Sequence, residues 1–163
     1  MGLFSAALSI APCACSHDAS SGHGEGAVTA PQGADCGHTA CGANFFVDAA
    51  QTSDCAVGAN CALALTLVAT GDFHINDEYP YKFRAEETPR LSFQGTDSAG
   101  PKVFSKAANN WQKTAPQKGV MTLVMQAAEK GDKPVSGVFK LSVCSAQNCQ
   151  LEQTEVTTSV HVR

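Results

Sequence analysis

The C-terminal stretch SGVFKLSVCSAQNCQLEQTEVTTSVHVR, Ser136–Arg163, contains two segments in which apolar and polar residues alternate. A period of two is the pattern of a β-strand with one buried face. The inward set is Phe139, Leu141 and Val143 in the first segment and Val156, Val160 and Val162 in the second. The same parity directs outward the residues Lys140, Ser142, Cys144, Cys149, Glu155, Thr157, Ser159 and His161. We therefore predict an antiparallel hairpin with both thiols on its outer face.

Similar strand signals recur from Asn44 onward, separated by turns that contain Gly and Pro. They are NFFVDAA (44–50), CALALTLVATGDFHIN (61–76), DEYPYKF (77–83), RLSFQG (90–95) and GVMTLVMQAA (119–128). In the second, Leu63, Leu65 and Leu67 share one face. Pro80 marks the third as an edge strand or a bend, because proline donates no ladder hydrogen bond. About seven or more strands at regular spacing predict an all-β fold, a β-sandwich over residues 44–163.

The N-terminal 43 residues have a different character. Leu3–Ile10 is an apolar run, too short to cross a bilayer, that resembles the core of a secretory signal without its usual preceding Lys or Arg. We expect residues 1–15 to be a degenerate signal or leader, and the chain to be exported to the periplasm or cell envelope. Cys15 is then a candidate lipid anchor. Residues 16–43, rich in Gly, Ala, Ser and His, are predicted to be a disordered, flexible tether.

Charge and cysteine content restrict the function classes. The net charge is −4 and no basic run occurs, which argues against nucleic acid as a partner. Eight cysteines, arranged in close pairs, favour an oxidising compartment. We predict structural disulfides between Cys36 and Cys41 and between Cys55 and Cys61.

The segment ADCGHTACG, residues 34–42, also brings thiols and an imidazole together. Cys36, His38 and Cys41 form a weak candidate site for copper or zinc, since both metals accept thiolate and imidazole ligands. Their spacing is not that of a zinc knuckle, and the sequence favours a local disulfide.

The hairpin cysteines Cys144 and Cys149 flank a loop of four residues, 145–148, which is a common hairpin length. Residues directly opposite on one face have Cβ atoms about 4.5–5.5 Å apart, close to what a disulfide needs. A bond across so short a loop stabilises by only about 2 kcal/mol, so it is a poor structural link. An exposed disulfide of this kind exchanges readily with thiols.

Three segments resemble the amino-terminal periplasmic domain of the DsbD-type thiol:disulfide interchange proteins. They are GDFHINDEYPYKF, LSFQGTDSAGPKVF and GVFKLSVCSAQNCQLE, in that order, and the resemblance covers about residues 44–163. It implies an immunoglobulin-like β-sandwich in which Cys144 and Cys149 cycle between dithiol and disulfide. It also implies a redox partner in trans, either a thioredoxin-like protein or a membrane electron donor, and requires no cofactor.

The resemblance further suggests residues around the redox pair. A loop within Gly95–Trp111 would cover it, with Phe104 or Trp111 as the covering side chain, and Phe73 and His74 would lie nearby. Many members carry two prolines after the second cysteine, where this chain has Gln150 and Leu151.

Three functions remain open on the sequence. The first is an exported thiol:disulfide exchange module, a component of a thiol–disulfide oxidoreductase system. The second is a non-enzymatic binding or structural β-sandwich of the cell envelope, held by disulfides. The third is a metal carrier that uses Cys36, His38 and Cys41.

Overall fold

The computed structural model describes residues 36–163, which form β-strands and no helix. The predicted leader (1–15) and most of the predicted tether lie outside the described residues. The strands are β1 (Ala40–Gly42), β2 (Phe45–Gln51), β3 (Asn60–Ala69), β4 (His74–Ile75), β5 (Lys82–Ala85), β6 (Leu91–Phe93), β7 (Val103–Ser105), β8 (Trp111–Ala115), β9 (Lys118–Ala127), β10 (Gly131–Cys144) and β11 (Cys149–Val162).

The strands form two antiparallel sheets. One has the order β1-β2-β3-β9-β6, with β8 also paired to β9, and the other has the order β11-β10-β5-β7, with β4 also paired to β10. Seven strands, β2, β3, β5, β6, β9, β10 and β11, correspond in chain order to strands A to G of an immunoglobulin domain. With these labels, the first sheet has the immunoglobulin strand order A-B-E-D and the second has the order G-F-C. The prediction of an immunoglobulin-like β-sandwich is confirmed.

The inner faces of the two sheets supply the core. In β3, Leu63, Leu65 and Leu67 are buried together, as their alternation predicts. Partners from the opposite sheet include Phe139, Leu141 and Val143 of β10, which are fully buried. Their outward neighbours along β3 and β10 are more exposed over most of each strand.

The hairpin of β10 and β11 is the longest element. Its fourteen residue pairs run without a register shift from Gly131 opposite Val162 to Cys144 opposite Cys149. In β11 the residues predicted to point inward, Val156, Val160 and Val162, are buried, and the odd-numbered residues between them are exposed. The predicted hairpin and its parity in β11 are therefore confirmed.

Four details differ from the sequence prediction. Strand β1 lies within the predicted tether, where it pairs with β2, so the sandwich begins at Ala40 rather than Asn44. The segment 61–76 is two strands, because the chain crosses from one sheet to the other at Gly71, whose φ of 60° favours glycine. Pro80 directly follows a bend at residues 77–79, and β5 behind it is an interior strand between β10 and β7 rather than an edge.

The fourth difference is at residues 103–105, in a segment without a clear strand pattern. They form β7, all three side chains are buried, and β5 supplies the pairing partners. No helix in residues 36–163 is long and apolar enough to cross a membrane.

Candidate functional site

The candidate site is the closed end of the β10–β11 hairpin, where Cys144 and Cys149 form a disulfide. The two residues are directly opposite in the register, with their Cα atoms 4.0 Å apart. The turn between them is closed by the Ser145 amide, which donates to the Asn148 carbonyl at 2.8 Å. The Ser145 hydroxyl accepts the amides of Gln147 and Asn148, both at 3.2 Å. The backbone of the turn is therefore organised by its own hydrogen bonds.

The two cysteines differ in exposure. Cys144 is only 6% exposed, whereas Cys149 is exposed to solvent. Both thiols were predicted to lie on the outer face, and the bond between directly opposite residues places them on one face, opposite in parity to the inward Val143. The burial of Cys144 on that face was not predicted. The physical reason is position in the sheet, because Cys144 has β4 on one side and β11 on the other, while Cys149 lies on an edge strand. A reagent from solvent therefore meets Cys149 first.

The segment 73–81 fixes the end of β10 that carries Cys144. The backbone amide of Asn76 donates to the Ser142 carbonyl at 3.4 Å. The side-chain amide of Asn76 donates to the Ser142 hydroxyl at 3.2 Å. The buried Tyr81 hydroxyl donates to the same Ser142 carbonyl at 2.6 Å. Burial raises the pKa of the Tyr81 phenol, which keeps it protonated and able to donate. This end of the strand is thus held by hydrogen bonds to Ser142 that do not involve sulfur.

The predicted neighbours of the redox pair fall into two groups. His74 lies directly opposite Cys144 in the β4–β10 register, and Phe73 is partly buried against the core. Phe104 is fully buried, and its ring contacts Phe93 edge-on. Trp111 is also buried and stacks on Tyr81 at 4.0 Å between ring centroids.

Phe104 and Trp111 were expected to cover the disulfide. Both belong to the hydrophobic core between the sheets, and their described ring contacts are with other core residues. The structure therefore brings together Cys144, Cys149 and His74, and places the two candidate cap residues in the interior instead. The segment packed beside Cys144 is 73–76, not the predicted loop within 95–111.

Charged side chains surround the loop that follows His74. The Lys113 ammonium lies 2.7 Å from a carboxylate oxygen of Asp77, and Lys106 donates to the Asp77 carbonyl. The hydrogen bond from Lys113, with weaker contributions from the charges of Lys106 and His74, lowers the pKa of the Asp77 carboxyl. Asp77 is therefore ionised near neutral pH and holds the loop to β8.

The two residues that follow Cys149, Gln150 and Leu151, have distinct contacts. Gln150 accepts a hydrogen bond from the Asn44 side chain at 3.0 Å, which connects the turn before β2 to the hairpin. Leu151 is 68% exposed and lies on the same face as Cys149, two residues along β11. An exposed leucine thus lies beside the accessible cysteine.

The two predicted structural disulfides, Cys36–Cys41 and Cys55–Cys61, are both present. Cys55 and Cys61 are 1% and 2% exposed and belong to the core. Cys36 and Cys41 connect the start of the described chain to β1.

The candidate metal residues are engaged elsewhere. The thiols of Cys36 and Cys41 are bonded to each other, and His38 Nδ1 lies 2.8 Å from an Asp48 carboxylate oxygen. The His38 ring also stacks on Phe46 at 3.8 Å. Within residues 36–163, no group of three or more His, Cys, Asp or Glu is placed to hold a metal ion.

A groove of about 940 Å³ lies at the opposite end of the sandwich and was not predicted. It is lined by residues of the Thr88–Phe93 segment, the end of β9 and the turn before β7. Arg90 in its wall has a φ of 65°, a conformation uncommon for a residue with a side chain. The sequence Thr88-Pro89-Arg90 gives no signal that Arg90 has a positive φ.

Comparison with known proteins gives limited information. No family model matches the chain, and no curated protein matches it. Among solved structures, the fold is similar to a cohesin module from a Clostridium perfringens ATCC13124 family 33 glycoside hydrolase. The match covers 74% of this chain and 96% of that module, with 8% sequence identity and a TM-score of 0.41. A likeness at this level carries no argument about function.

Proposed function

We propose that the protein is an exported thiol:disulfide exchange module that transfers electrons through Cys144 and Cys149 to or from a thioredoxin-like partner in trans. The observation that carries the proposal is the unequal exposure of the two cysteines within one disulfide. Thiol exchange needs one sulfur that a partner can reach in line and a second that leaves. A purely structural disulfide has no need for an accessible sulfur.

The unequal exposures support the following order of steps. A partner thiolate attacks the sulfur of Cys149, a mixed disulfide forms there, and Cys144 leaves as the thiolate. The partner's second cysteine, as a thiolate, then attacks the sulfur of the partner's first cysteine in the mixed disulfide. This step releases Cys149 as a thiolate. The domain has gained two electrons as a dithiol, and the partner has become a disulfide. In the reverse direction Cys149 attacks a disulfide of the next protein, and Cys144 resolves the mixed disulfide.

The surface around Cys149 supports contact with another protein. Leu151 offers exposed apolar area on the same face, and burial of such a side chain contributes about 1.5–3 kcal/mol to association. The fourteen register pairs of the hairpin hold the strands without the disulfide, which adds only about 2 kcal/mol by loop closure. The bond is thus free to open without loss of the fold.

Trapping experiments test the proposal. In the Cys144→Ser variant, Cys149 is left without its resolving partner, so it should accumulate as a mixed disulfide with a thioredoxin-like protein. In the matched Cys149→Ser variant, the remaining thiol of Cys144 is buried and should trap at least about tenfold less. Equal trapping by both variants, or a Cys144–Cys149 bond that no thioredoxin reduces, would refute the exchange function.

A non-enzymatic envelope protein is the second candidate, and the buried Cys55–Cys61 bond favours it, because this disulfide has the properties of a structural link. In that case loss of both Cys144 and Cys149 should lower stability and leave thiol transfer to any partner unchanged. The metal-carrier function receives no support from residues 36–163. Membrane attachment through a lipid on Cys15 belongs to the same proposal of export, and mass spectrometry of the mature N-terminus tests it.

A further inference from the structure

We propose that His74 compensates the negative charge of the Cys144 thiolate when the disulfide opens. This inference rests on the proposed function and deepens it, because it assigns the group that makes Cys144 a good leaving thiolate. It also gives the exchange reaction a dependence on pH that the cysteines alone would not have.

The geometry places three side chains in one row across three strands. Cys144 in β10 lies opposite Cys149 in β11 on one side and opposite His74 in β4 on the other. Directly opposite residues of antiparallel strands share a face, with Cβ atoms about 4.5–5.5 Å apart. An imidazole reaches that far with ease, so the leaving sulfur has a histidine on one side and its bonded partner on the other.

The burial of Cys144 explains why its thiolate needs a positive charge nearby. Cys144 is 6% exposed, and transfer of a thiolate away from water disfavours its charged form. A leaving thiol with a raised pKa leaves slowly in thiol–disulfide exchange. A neighbouring imidazolium opposes this effect, since it lowers the pKa of a nearby cysteine.

Other charged groups lie on the elements packed around His74. Its own segment carries Asp72, Asp77, Glu78 and Tyr79, and β8 carries Lys113. Strand β9, which also packs against β4, carries Lys118, and the chain after β7 carries Lys106. Lys113 and Lys106 are both bonded to Asp77, so their donors are directed to that residue. Strand β10 presents Cys144 at this position, and β11 presents Cys149. Among these groups, His74 is the side chain that lies in register with the leaving sulfur.

The test is the pH profile of disulfide opening by dithiothreitol. The rate is measured for the Cys144–Cys149 peptide by acid quench, alkylation and mass spectrometry, and is divided by the concentration of dithiothreitol thiolate at each pH. In the wild-type protein this normalised rate should be about three- to tenfold higher at pH 6 than at pH 8, because lower pH favours the positively charged form of an imidazole beside the leaving sulfur.

Three variants define the outcome. His74→Gln should give a flat profile at the wild-type level of pH 8, and His74→Lys should stay fast at both pH values. His161→Gln is the matched control, because His161 is an exposed histidine at the far end of the same hairpin, paired with Asp132. It should keep the wild-type profile.

A His74→Gln variant that keeps the wild-type profile would overturn the inference, as would the same flat profile in His161→Gln. The pH profile tests the role of His74, and the trapping experiment separately tests the proposed exchange function. A wild-type profile with the expected slope but no trapping by a thioredoxin-like protein would support the role of His74 and refute the exchange function.

Discussion

The disulfides Cys55–Cys61 and Cys144–Cys149 close loops of nearly equal length, with sequence separations of 6 and 5 residues. Their surroundings differ. Cys55 and Cys61 are both buried in the core, whereas Cys149 faces solvent on an edge strand. Loop length therefore does not distinguish the buried disulfide from the one that has an exposed cysteine. The distinction comes from where each bond lies relative to the core.

Strand β11 connects the two disulfides. Its last residue, Val162, bridges to Cys55, and the Arg163 amide donates to the Cys55 carbonyl at 2.9 Å. Its first residue is Cys149. One end of the strand is therefore fixed to a buried disulfide that joins the two sheets, and the other end carries the accessible one.

The largest expected difference between the two bonds is in their rate of reduction. We expect dithiothreitol to open Cys144–Cys149 at least about 100-fold faster than Cys55–Cys61, because the buried bond reacts only after local unfolding, and about 2.7 kcal/mol of opening free energy gives that factor. Time-resolved alkylation and peptide mass mapping measure both rates in one sample. Equal rates would mean that burial does not determine how fast each disulfide is reduced.

Removal of each disulfide should affect stability unequally. The variant Cys55→Ala with Cys61→Ala should lose about 3 kcal/mol of unfolding free energy, since loop closure and core packing are both lost. The matched variant Cys144→Ala with Cys149→Ala should lose about 2 kcal/mol or less. Urea denaturation of the two variants measures the difference. A larger loss for the second variant would assign the structural role to the hairpin bond.

Removal of one hydroxyl should weaken the main-chain anchor beside Cys144. The variant Tyr81→Phe leaves the Ser142 carbonyl without its buried donor and should cost about 1–2 kcal/mol of stability, with its stacking on Trp111 kept. Thermal unfolding measures the loss. Tyr79→Phe is the control, because Tyr79 is only partly buried and should change stability little. Equal effects of the two changes would contradict the anchoring role of Tyr81.

The smallest effect concerns Asp77, in the loop that follows His74. Lys113 lowers the pKa of this carboxyl below its usual value of 3.8. A lowered folded-state pKa gives stability that is present above the unfolded value and lost as the pH falls through the folded value. The variant Lys113→Gln should therefore raise the pKa of Asp77 and flatten the acid limb of the stability curve. Carboxyl titration by NMR measures this, and an unchanged pKa would contradict the contact.

Sequence parity predicted more of the fold than of the site. The alternation in Leu63–Leu67 and in Val156–Val162 identified inner faces because each strand has one buried side, a property local to the strand. The burial of Cys144 could not be found in this way, because it depends on His74, seventy positions away, pairing with the side of β10 that faces away from β11. Phe104 and Trp111 were misplaced for the same reason, since aromatic residues in an irregular segment do not reveal whether they enter the core.

If Cys144 and Cys149 exchange as proposed, the anchoring of Ser142 by Asn76 and Tyr81 has a consequence for the speed of that exchange. Because the backbone beside Cys144 is held by contacts that do not involve sulfur, opening of the bond leaves the frame of the hairpin in place. In the proposed exchange, the structural change would then be limited to the two cysteine side chains. The turnover of the proposed module would be set by encounters with its partners rather than by its own conformational relaxation.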